Sequence, residues 1–295
     1  MRTVFEAEGK WYKGVTHFHS TGSDGRWTPE EITGWYKERG YDFCALTDHL
    51  VCTDTRHVST STFLTIPGIE MHGRDEGIDR TPHVVGLGKG IEGTVERGSG
   101  LQEMINLFNS RGMLSIVAHP YWSSLRDEHL SAATGYAGIE IYNHTCWQGV
   151  GKGDSLTYWD NLLYDGRPIW GLAVDDAHCP PGRDDIGGGW IMAKAEALDE
   201  PSILEAIRLG QFYSSQGPVI ASWRIDGSEV YVRCSAVERI QVHGPNGLGR
   251  TVRAPEEGLI TEASFTFESM PRYLRVTCVD RQCNRAWTNP VFFGE

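Results

Sequence analysis

Histidine and acidic side chains near the start of the chain have the types and spacing of metal ligands. His17 and His19 are two residues apart after a short apolar run, and Asp24 follows in a glycine-containing turn. If this segment is a β-strand, the two imidazoles point to the same face, because strand side chains alternate. Imidazole nitrogens and a carboxylate oxygen that converge on one point are typical ligands of a transition-metal ion. The alternative is a strand that buries one histidine and exposes the other by chance.

The rest of the chain favours the metal site, because the same residue types recur beside other apolar runs. These runs and their polar neighbours are 41–46 before His49, 63–69 before Glu70, 114–118 before His119, 168–174 before Asp176 and His178, and 83–87 beginning with His83. Histidines placed at random would not choose the same end of most predicted strands. The pattern therefore predicts one site built from several strand ends.

Helical patterns separate these runs and indicate how they are positioned. Residues 28–40 predict a helix, with Thr28 as N-cap and Glu31 completing a capping box. Short apolar strands that alternate with helices are typical of a mainly parallel sheet buried on both faces. Repeated strand–helix units favour a closed or nearly closed barrel, in which the chemistry gathers at the carboxyl ends of the strands.

The pattern changes after Gly217 and Pro218. Short alternating runs such as 229–234 and 273–278, separated by turn residues, predict strands without intervening helices. We therefore expect a barrel domain over residues 1–217 and a small all-β sandwich over residues 218–295. The ligand pattern is confined to the first of these.

Composition and charge exclude several classes of protein. The chain has 295 residues and a formal net charge of −12, which disfavours long nucleic acid as a partner. No apolar run reaches membrane-spanning length, and the first residues lack the features of a signal peptide, so we expect a cytoplasmic protein. Seven cysteines without a Cys-x-x-Cys pair argue against a disulfide framework or a zinc ribbon.

Several motifs, in order, resemble those of the polymerase and histidinol phosphatase (PHP) family. They are His17-x-His19, Ser23-Asp24-Gly25, Thr47-Asp48-His49, Gly68-Ile69-Glu70, His83, Ala118-His119-Pro120 and Asp176-Ala177-His178. The resemblance covers roughly residues 14–215 and implies a distorted (β/α)7 TIM-like barrel, here with the C-terminal sandwich added. It also implies a phosphoesterase with two or three divalent ions. Zinc, manganese and iron all suit mixed imidazole and carboxylate ligands.

The resemblance implies three sets of metal ligands. They are His17, His19, Glu70 and Asp176; then His83 and His119 with Glu70 shared; and finally Asp24, His49 and His178. Asp176 rather than Asp175 is expected as the ligand, since its spacing to His178 puts both on one face of a strand. Of these ligands, Asp24, His49, Asp176 and His178 are also the candidates for carrying a proton to the leaving group.

The function expected from the resemblance is hydrolysis of a small phosphate mono- or diester. A metal-bound hydroxide would attack phosphorus at a di- or trinuclear site. Arg74, Arg126 and Arg183 lie in loops beyond the predicted strands and are candidates for binding the substrate phosphate.

Two alternatives remain open at this point. Residues 213–218 and 286–290 resemble a branch of the family that includes a carbaryl-type carbamate hydrolase, so a carbamate or carboxylic ester is the alternative substrate. The other alternative is a non-catalytic metal-binding scaffold module, although such a module is expected to have lost ligands.

Overall fold

Strands and helices alternate in the N-terminal part of the chain, as the sequence predicts. The computed structural model describes residues 3–77 and 79–294. The strands of this part are β1 (Lys10–Val15), β2 (Phe43–Leu46), β3 (Val51–Cys52), β4 (Leu64–His72), β5 (His83–Leu87), β6 (Gly93–Thr94), β7 (Leu114–Val117), β8 (Gly138–Asn143), β9 (Trp170–Val174), β10 (Trp190–Ala195) and β11 (Phe212–Ser215). The helices are α1 (Pro29–Glu38), α2 (Leu101–Ser110), α3 (Asp127–Ala132), α4 (His144–Val150), α5 (Leu156–Tyr164) and α6 (Glu200–Arg208). In the part of the chain described, no helix has the length and apolarity needed to cross a membrane.

The first helix shows how local sequence fixes an element that supports the site. The Thr28 hydroxyl accepts a hydrogen bond from the Glu31 amide, and the Glu31 carboxylate accepts one from the Thr28 amide at 2.8 Å. This reciprocal pair satisfies backbone donors that the start of a helix leaves open. On the buried face, the Tyr36 hydroxyl donates to Asp175 at 2.8 Å. Helix α1 therefore anchors the segment that carries Asp176.

One extended sheet joins most of these strands, in the order β9-β8-β7-β5-β4-β2-β1-β10-β11. Four neighbouring pairs are parallel, namely β1–β2, β2–β4, β7–β8 and β8–β9, and the other four are antiparallel. The sheet is thus mixed, and the expectation of a mainly parallel sheet is wrong. Residues 73–82, which join β4 to β5, are fewer than the dozen or so that a parallel crossover needs.

Backbone hydrogen bonds also link the segments that follow the first and last strands of this series. The Asp176 amide donates to the His17 carbonyl, and the His19 amide donates to the Ala177 carbonyl, both at 2.9 Å. Similarly, the Glu70 amide donates to the Asp48 carbonyl at 3.2 Å. The ends of β1, β2, β4 and β9 therefore meet on one side of the sheet.

The C-terminal part, as far as residue 294, has strands and no helix. They are β12 (Ile220–Asp226), β13 (Glu229–Val237), β14 (Arg239–His243), β15 (Gly249–Arg253), β16 (Ile260–Thr266), β17 (Tyr273–Val279), β18 (Arg285–Thr288) and β19 (Val291–Phe292). Strands β12, β13 and β16 form a separate sheet, whereas β18 pairs with β11 and extends the large sheet through β17, β14 and β15. The C-terminal part of the chain is therefore rich in strands, as the sequence predicts.

Apolar side chains of the two C-terminal sheets share one buried cluster. Trp223 and Val230 of one sheet lie in it with Ile240 and Val276 of the other. A partly buried ion pair also links the two parts of the chain, since the Arg275 guanidinium contacts the Asp160 carboxylate of α5 at 2.7 Å. The C-terminal strands therefore pack against the part of the chain that carries the candidate site.

Candidate metal centre

The structure brings all nine predicted metal ligands together on one side of the large sheet. His17 and His19 follow β1, His49 follows β2, Glu70 lies in β4, His119 follows β7, and Asp176 and His178 follow β9. His83 instead begins β5, but this strand runs antiparallel to β4, so its start lies beside the carboxyl ends of its neighbours. Asp24 reaches the group from the turn after His19. Topology thus explains why residues at opposite ends of their strands meet.

Glu70 is the centre of the cluster. Its Oε2 atom lies 3.1–3.2 Å from His17 Nε2, His19 Nε2 and His49 Nδ1. Its Oε1 atom lies 2.7 Å from His83 Nδ1 and 3.1 Å from His119 Nε2. One buried carboxylate is therefore shared by five imidazoles, which is the position of a bridging ligand between metal ions.

Two further acids complete the cluster from opposite sides. Asp176 Oδ1 lies 3.0 Å from His19 Nε2 and 3.3 Å from His17 Nε2. Asp24 Oδ1 lies 3.4 Å from His178 Nε2. The Asp24 side chain is 55% exposed, whereas that of Asp176 is 7% exposed. Asp176 therefore belongs to the floor of the site and Asp24 to its mouth.

Among the described residues, three groups of ligand atoms are compact enough to hold a metal ion. They are His17, His19, Glu70 and Asp176; His19, Asp24, His49 and His178; and His49, Glu70 and His83. The first group has the composition that the family resemblance implies. The other two differ in detail, since His19 joins the Asp24 group and His49 stands beside His83. His119 contacts Glu70 from the side of His83.

The donor atoms fit a cation. His19 Nδ1, His49 Nδ1 and Glu70 Oε2 are buried and have no hydrogen-bond partner among the described residues. Glu70 Oε2 lies close to several imidazole nitrogens but is not aligned with them for hydrogen bonds. Buried polar atoms in proteins almost always have a bonding partner. A group of unpaired ligand atoms in one cluster therefore fits metal ions bound between them. The chemistry of the set, imidazole and carboxylate, suits zinc, manganese or iron.

Acidic neighbours shift the pKa values of the buried imidazoles. Burial alone would lower the pKa of His17, but the surrounding carboxylates, Asp176 first, raise it well above its ordinary value. Burial opposes protonation of His19 as well, but hydrogen bonds to Asp176 and Glu70 raise its pKa to about 10. Burial would raise the pKa of Glu70, but the imidazoles around it hold that pKa well below its usual range. Divalent ions would replace these protons, since both balance the same carboxylates.

Two predicted ligands have unusual backbone conformations. His119 has φ of 24° and Asp176 has φ of 56°, both in the left-handed region. Residues other than glycine adopt this region at a cost of order 1–3 kcal/mol, and such strain is concentrated at functional sites. The surrounding hydrogen bonds hold both residues in this conformation, including the bond from the Asp176 amide to the His17 carbonyl.

Glu140 and Asn143 contact the cluster from outside, although no motif in the sequence identifies them. Glu140 Oε1 lies 2.6 Å from His17 Nδ1, and its Oε2 accepts a hydrogen bond from the His119 amide at 2.8 Å. Asn143 Nδ2 donates to Glu140 and to Asp176. The available signal is that Asn143 ends strand β8 and Glu140 lies within it, whereas ligands follow other strands.

Two more buried acids organise the loops that carry ligands. Asp48 accepts hydrogen bonds from the Ser20 amide and from the Ser20 and Thr53 hydroxyls. Asp175 accepts from Tyr36 and from the backbone amides of residues 187–189. Both carboxylates therefore point away from the cluster, and Asp176 rather than Asp175 faces it.

A cavity of about 420 Å³ opens onto the cluster. Arg26 and Arg183 line it together with the ligands, and Trp122, Val150 and Pro180 add apolar surface. The structure thus places one of the three predicted substrate arginines, Arg183, at the cavity and adds Arg26. Arg74 and Arg126 form exposed ion pairs with Asp79 and Glu128 instead.

A solved structure with a similar fold supports the PHP resemblance. A two-domain protein from Bacteroides vulgatus, described as containing a predicted PHP-like metal-dependent phosphoesterase, superposes with a TM-score of 0.56 at 15% identity, and the match covers 96% of each chain. The chain therefore shares the fold of that two-domain protein over nearly its whole length.

Two further structures match less of the chain. An amidohydrolase from Chromobacterium violaceum with bound sulfate and no metal gives a TM-score of 0.42 at 18% identity, covering 58% of this chain and 89% of that one. A candidate metal-dependent phosphoesterase from Bifidobacterium adolescentis gives 0.43 at 14% identity, covering 68% and 96%. No protein-family model and no curated protein sequence matches the chain.

Proposed function

We propose that this protein is a PHP-family metal-dependent hydrolase that cleaves a small phosphate mono- or diester. The observation that carries the proposal is the convergence of nine histidine and acidic side chains around the buried carboxylate of Glu70. A cavity lined by two arginines lies beside them, which suits an anionic substrate despite the negative net charge of the chain.

The metal ligands would be the nine residues expected from the family resemblance. His17, His19, Glu70 and Asp176 would hold one ion; His83 and His119 would hold a second with Glu70 shared; and Asp24, His49 and His178 would hold a third. The described geometry supports two or three ions, with zinc, manganese and iron all compatible with the donors. When bound, the ions supply the activation of water and the neutralisation of phosphoryl charge.

The chain itself would orient the substrate and transfer a proton. Arg26 and Arg183 line the cavity, so their guanidinium groups can hold phosphoryl oxygens. Asp24 and His178 lie 3.4 Å apart at the mouth, where a leaving alkoxide would emerge. His49 and Asp176 are the other two candidates for carrying the proton. Of these, Asp176 is buried and already accepts a hydrogen bond from Asn143.

A cysteine nucleophile is not required for this reaction. Cys146 lines the cavity, and its sulfur lies 4.0 Å from Asp176 Oδ2. Burial and the neighbouring carboxylates raise the pKa of the Cys146 thiol well above its ordinary value. A thiol that keeps its proton is a poor nucleophile, so direct attack by water fits the site better.

We also propose how the strands form a barrel and where the two domains meet. Strands β1, β2, β4, β5, β7, β8 and β9 would be the seven strands of the distorted TIM-like barrel, with the hydrogen bonds between residues 17–19 and 176–177 joining its two ends. The domain boundary would lie at residues 217 and 218, and the two C-terminal sheets would form the sandwich.

The decisive experiment compares substrates on metal-loaded protein. We expect hydrolysis of p-nitrophenyl phosphate or bis-p-nitrophenyl phosphate, loss of that activity on chelation, and loss in the His17→Ala variant. His57→Ala is the matched control, because His57 pairs with Glu30 at the surface. Labelled oxygen from water should appear in the released phosphate.

The same assay separates the alternatives. Hydrolysis of 1-naphthyl methylcarbamate without hydrolysis of either phosphate ester would contradict the proposal and favour the carbamate or ester hydrolase. A protein that binds metal stoichiometrically but hydrolyses none of these substrates or a broader phosphoester panel would favour the scaffold module.

A further inference from the structure

The cavity beside the metal cluster has an apolar wall formed largely by Trp122. This tryptophan lines the cavity and is 42% exposed, although most tryptophans of such a fold are expected to be buried. Its ring stands nearly perpendicular to the imidazoles of His83 and His119, with centroids 5.5 and 5.0 Å apart. The indole therefore touches two candidate ligands and still presents apolar surface to the cavity.

The turn that carries Trp122 is held in place. The Ser123 amide donates to the His119 carbonyl at 3.1 Å, and the Ser123 hydroxyl lies 3.2 Å from His119 Nδ1. Trp122 thus follows the ligand His119 in a short, hydrogen-bonded turn. A side chain held so close to the candidate metal ligands is preorganised to contact whatever group is joined to the reacting phosphate.

Two other apolar side chains complete the lining. Val150, at the end of α4, lines the cavity and is 62% exposed, and Pro180 lines it from the loop after His178. Helix α4 is fixed at its start, where the side-chain oxygen Oδ1 of Asn143 accepts a hydrogen bond from the Cys146 amide at 2.9 Å. The polar floor thus faces an opening bounded by an indole, a valine and a proline.

From this arrangement we infer that the substrate's leaving group carries a flat apolar ring, which stacks on Trp122 while the phosphoryl group lies at the metals. The inference rests on the proposed phosphoesterase function and narrows its substrate class. A leaving group rich in hydroxyls would contact apolar carbon along this wall, and its hydroxyl groups would lack hydrogen-bond partners there. An aromatic pair instead favours stacking or edge-to-face contact with the indole.

The test uses non-hydrolysable ligands, so that it does not depend on turnover. Calorimetry would measure the affinities of benzylphosphonate and 2,3-dihydroxypropylphosphonate for the metal-loaded protein. Both carry the same anionic head and differ in the group attached to it. We expect benzylphosphonate to bind about three- to tenfold more tightly, the factor that corresponds to one aromatic pair.

Three variants test whether the preference for the ring depends on Trp122. Trp122→Ala should remove the preference, and Trp122→Phe should keep most of it. Trp147→Ala should leave it unchanged, because Trp147 is equally exposed but lines a different cavity. Metal content is measured for each variant, so that loss of an ion is not mistaken for loss of stacking.

Equal affinities in the wild-type protein, failure of both phosphonates to bind, or a preference that persists in Trp122→Ala would each overturn the inference. The proposed function has its own readout in the hydrolysis of phosphate esters. Stacking without hydrolysis would contradict the proposed function alone, and hydrolysis without a ring preference would contradict this inference alone.

Discussion

Glu140 Oε1 lies 2.6 Å from His17 Nδ1, on the side of the imidazole opposite the cluster around Glu70. The other ring nitrogen, Nε2, faces Glu70 and Asp176. This is the arrangement by which a carboxylate fixes the tautomer and orientation of a metal-binding histidine. Because the second Glu140 oxygen accepts from the His119 amide, one acid positions two candidate ligands.

Glu140→Gln should therefore weaken metal binding without removing a ligand. We expect a loss of about ten- to hundredfold in affinity, the usual effect of replacing such a positioning carboxylate. Competition with a chromophoric chelator would measure it. Glu128→Gln is the control, since Glu128 is exposed and pairs only with neighbouring residues. An unchanged affinity in Glu140→Gln would show that the contact does not position His17.

The stability of the metal-free protein should fall as the pH rises from about 6.5 to about 10. His19 has a pKa of about 10 in the folded chain, against 6.5 ordinarily. The folded state therefore holds this proton more tightly than the unfolded state, so the stabilisation is complete below pH 6.5 and is lost as the pH approaches 10. The pKa values of His17 and His119 are raised too, so they act in the same direction.

Thermal unfolding with and without metal would measure this dependence. In the metal-loaded protein the ions take the place of the protons, and the decline over the same range should be much smaller. A metal-free protein whose melting temperature stays constant or rises between these pH values would contradict the assignment.

Arg183→Gln should lower kcat/KM for a phosphate ester by about ten- to hundredfold, the value of a hydrogen bond to a charged group. Arg183 lines the cavity, whereas Arg74 and Arg126 pair with surface carboxylates. Arg74→Gln and Arg126→Gln are therefore matched controls of the same chemistry. Steady-state kinetics on the three variants would decide, and a large loss in either control with none in Arg183→Gln would refute the assignment.

Tyr36→Phe should destabilise the protein by about 1–3 kcal/mol, because the change removes a buried hydrogen bond to a carboxyl group. The Tyr36 hydroxyl donates to Asp175 at 2.8 Å, and both residues are fully buried. Urea unfolding at a fixed metal concentration would measure the change. Tyr164→Phe, at an exposed tyrosine, should cost less than about 0.5 kcal/mol. Equal effects of the two changes would show that the bond to Asp175 contributes nothing.

Local sequence is sufficient for the helix that begins at Pro29, since its capping residues and apolar spacing are contiguous. It is not sufficient for strand directions. The antiparallel course of β5 depends on the short connection from β4 and on pairing with β7, and periodicity is the same in either direction. The pattern of apolar and polar side chains indicates which faces of a strand are buried. The direction of a strand is set by which other strands become its neighbours in the sheet.

The sequence by itself determined which residue types could bind metal, because imidazoles and carboxylates recur beside successive apolar runs. Only the tertiary structure decided that Glu140 supports His17, that Arg26 joins Arg183 at the cavity, and that Trp122 forms its apolar wall. The physical reason is that ligand chemistry belongs to single residues, whereas distances between strand ends and the course of loops arise only when the whole sheet is assembled.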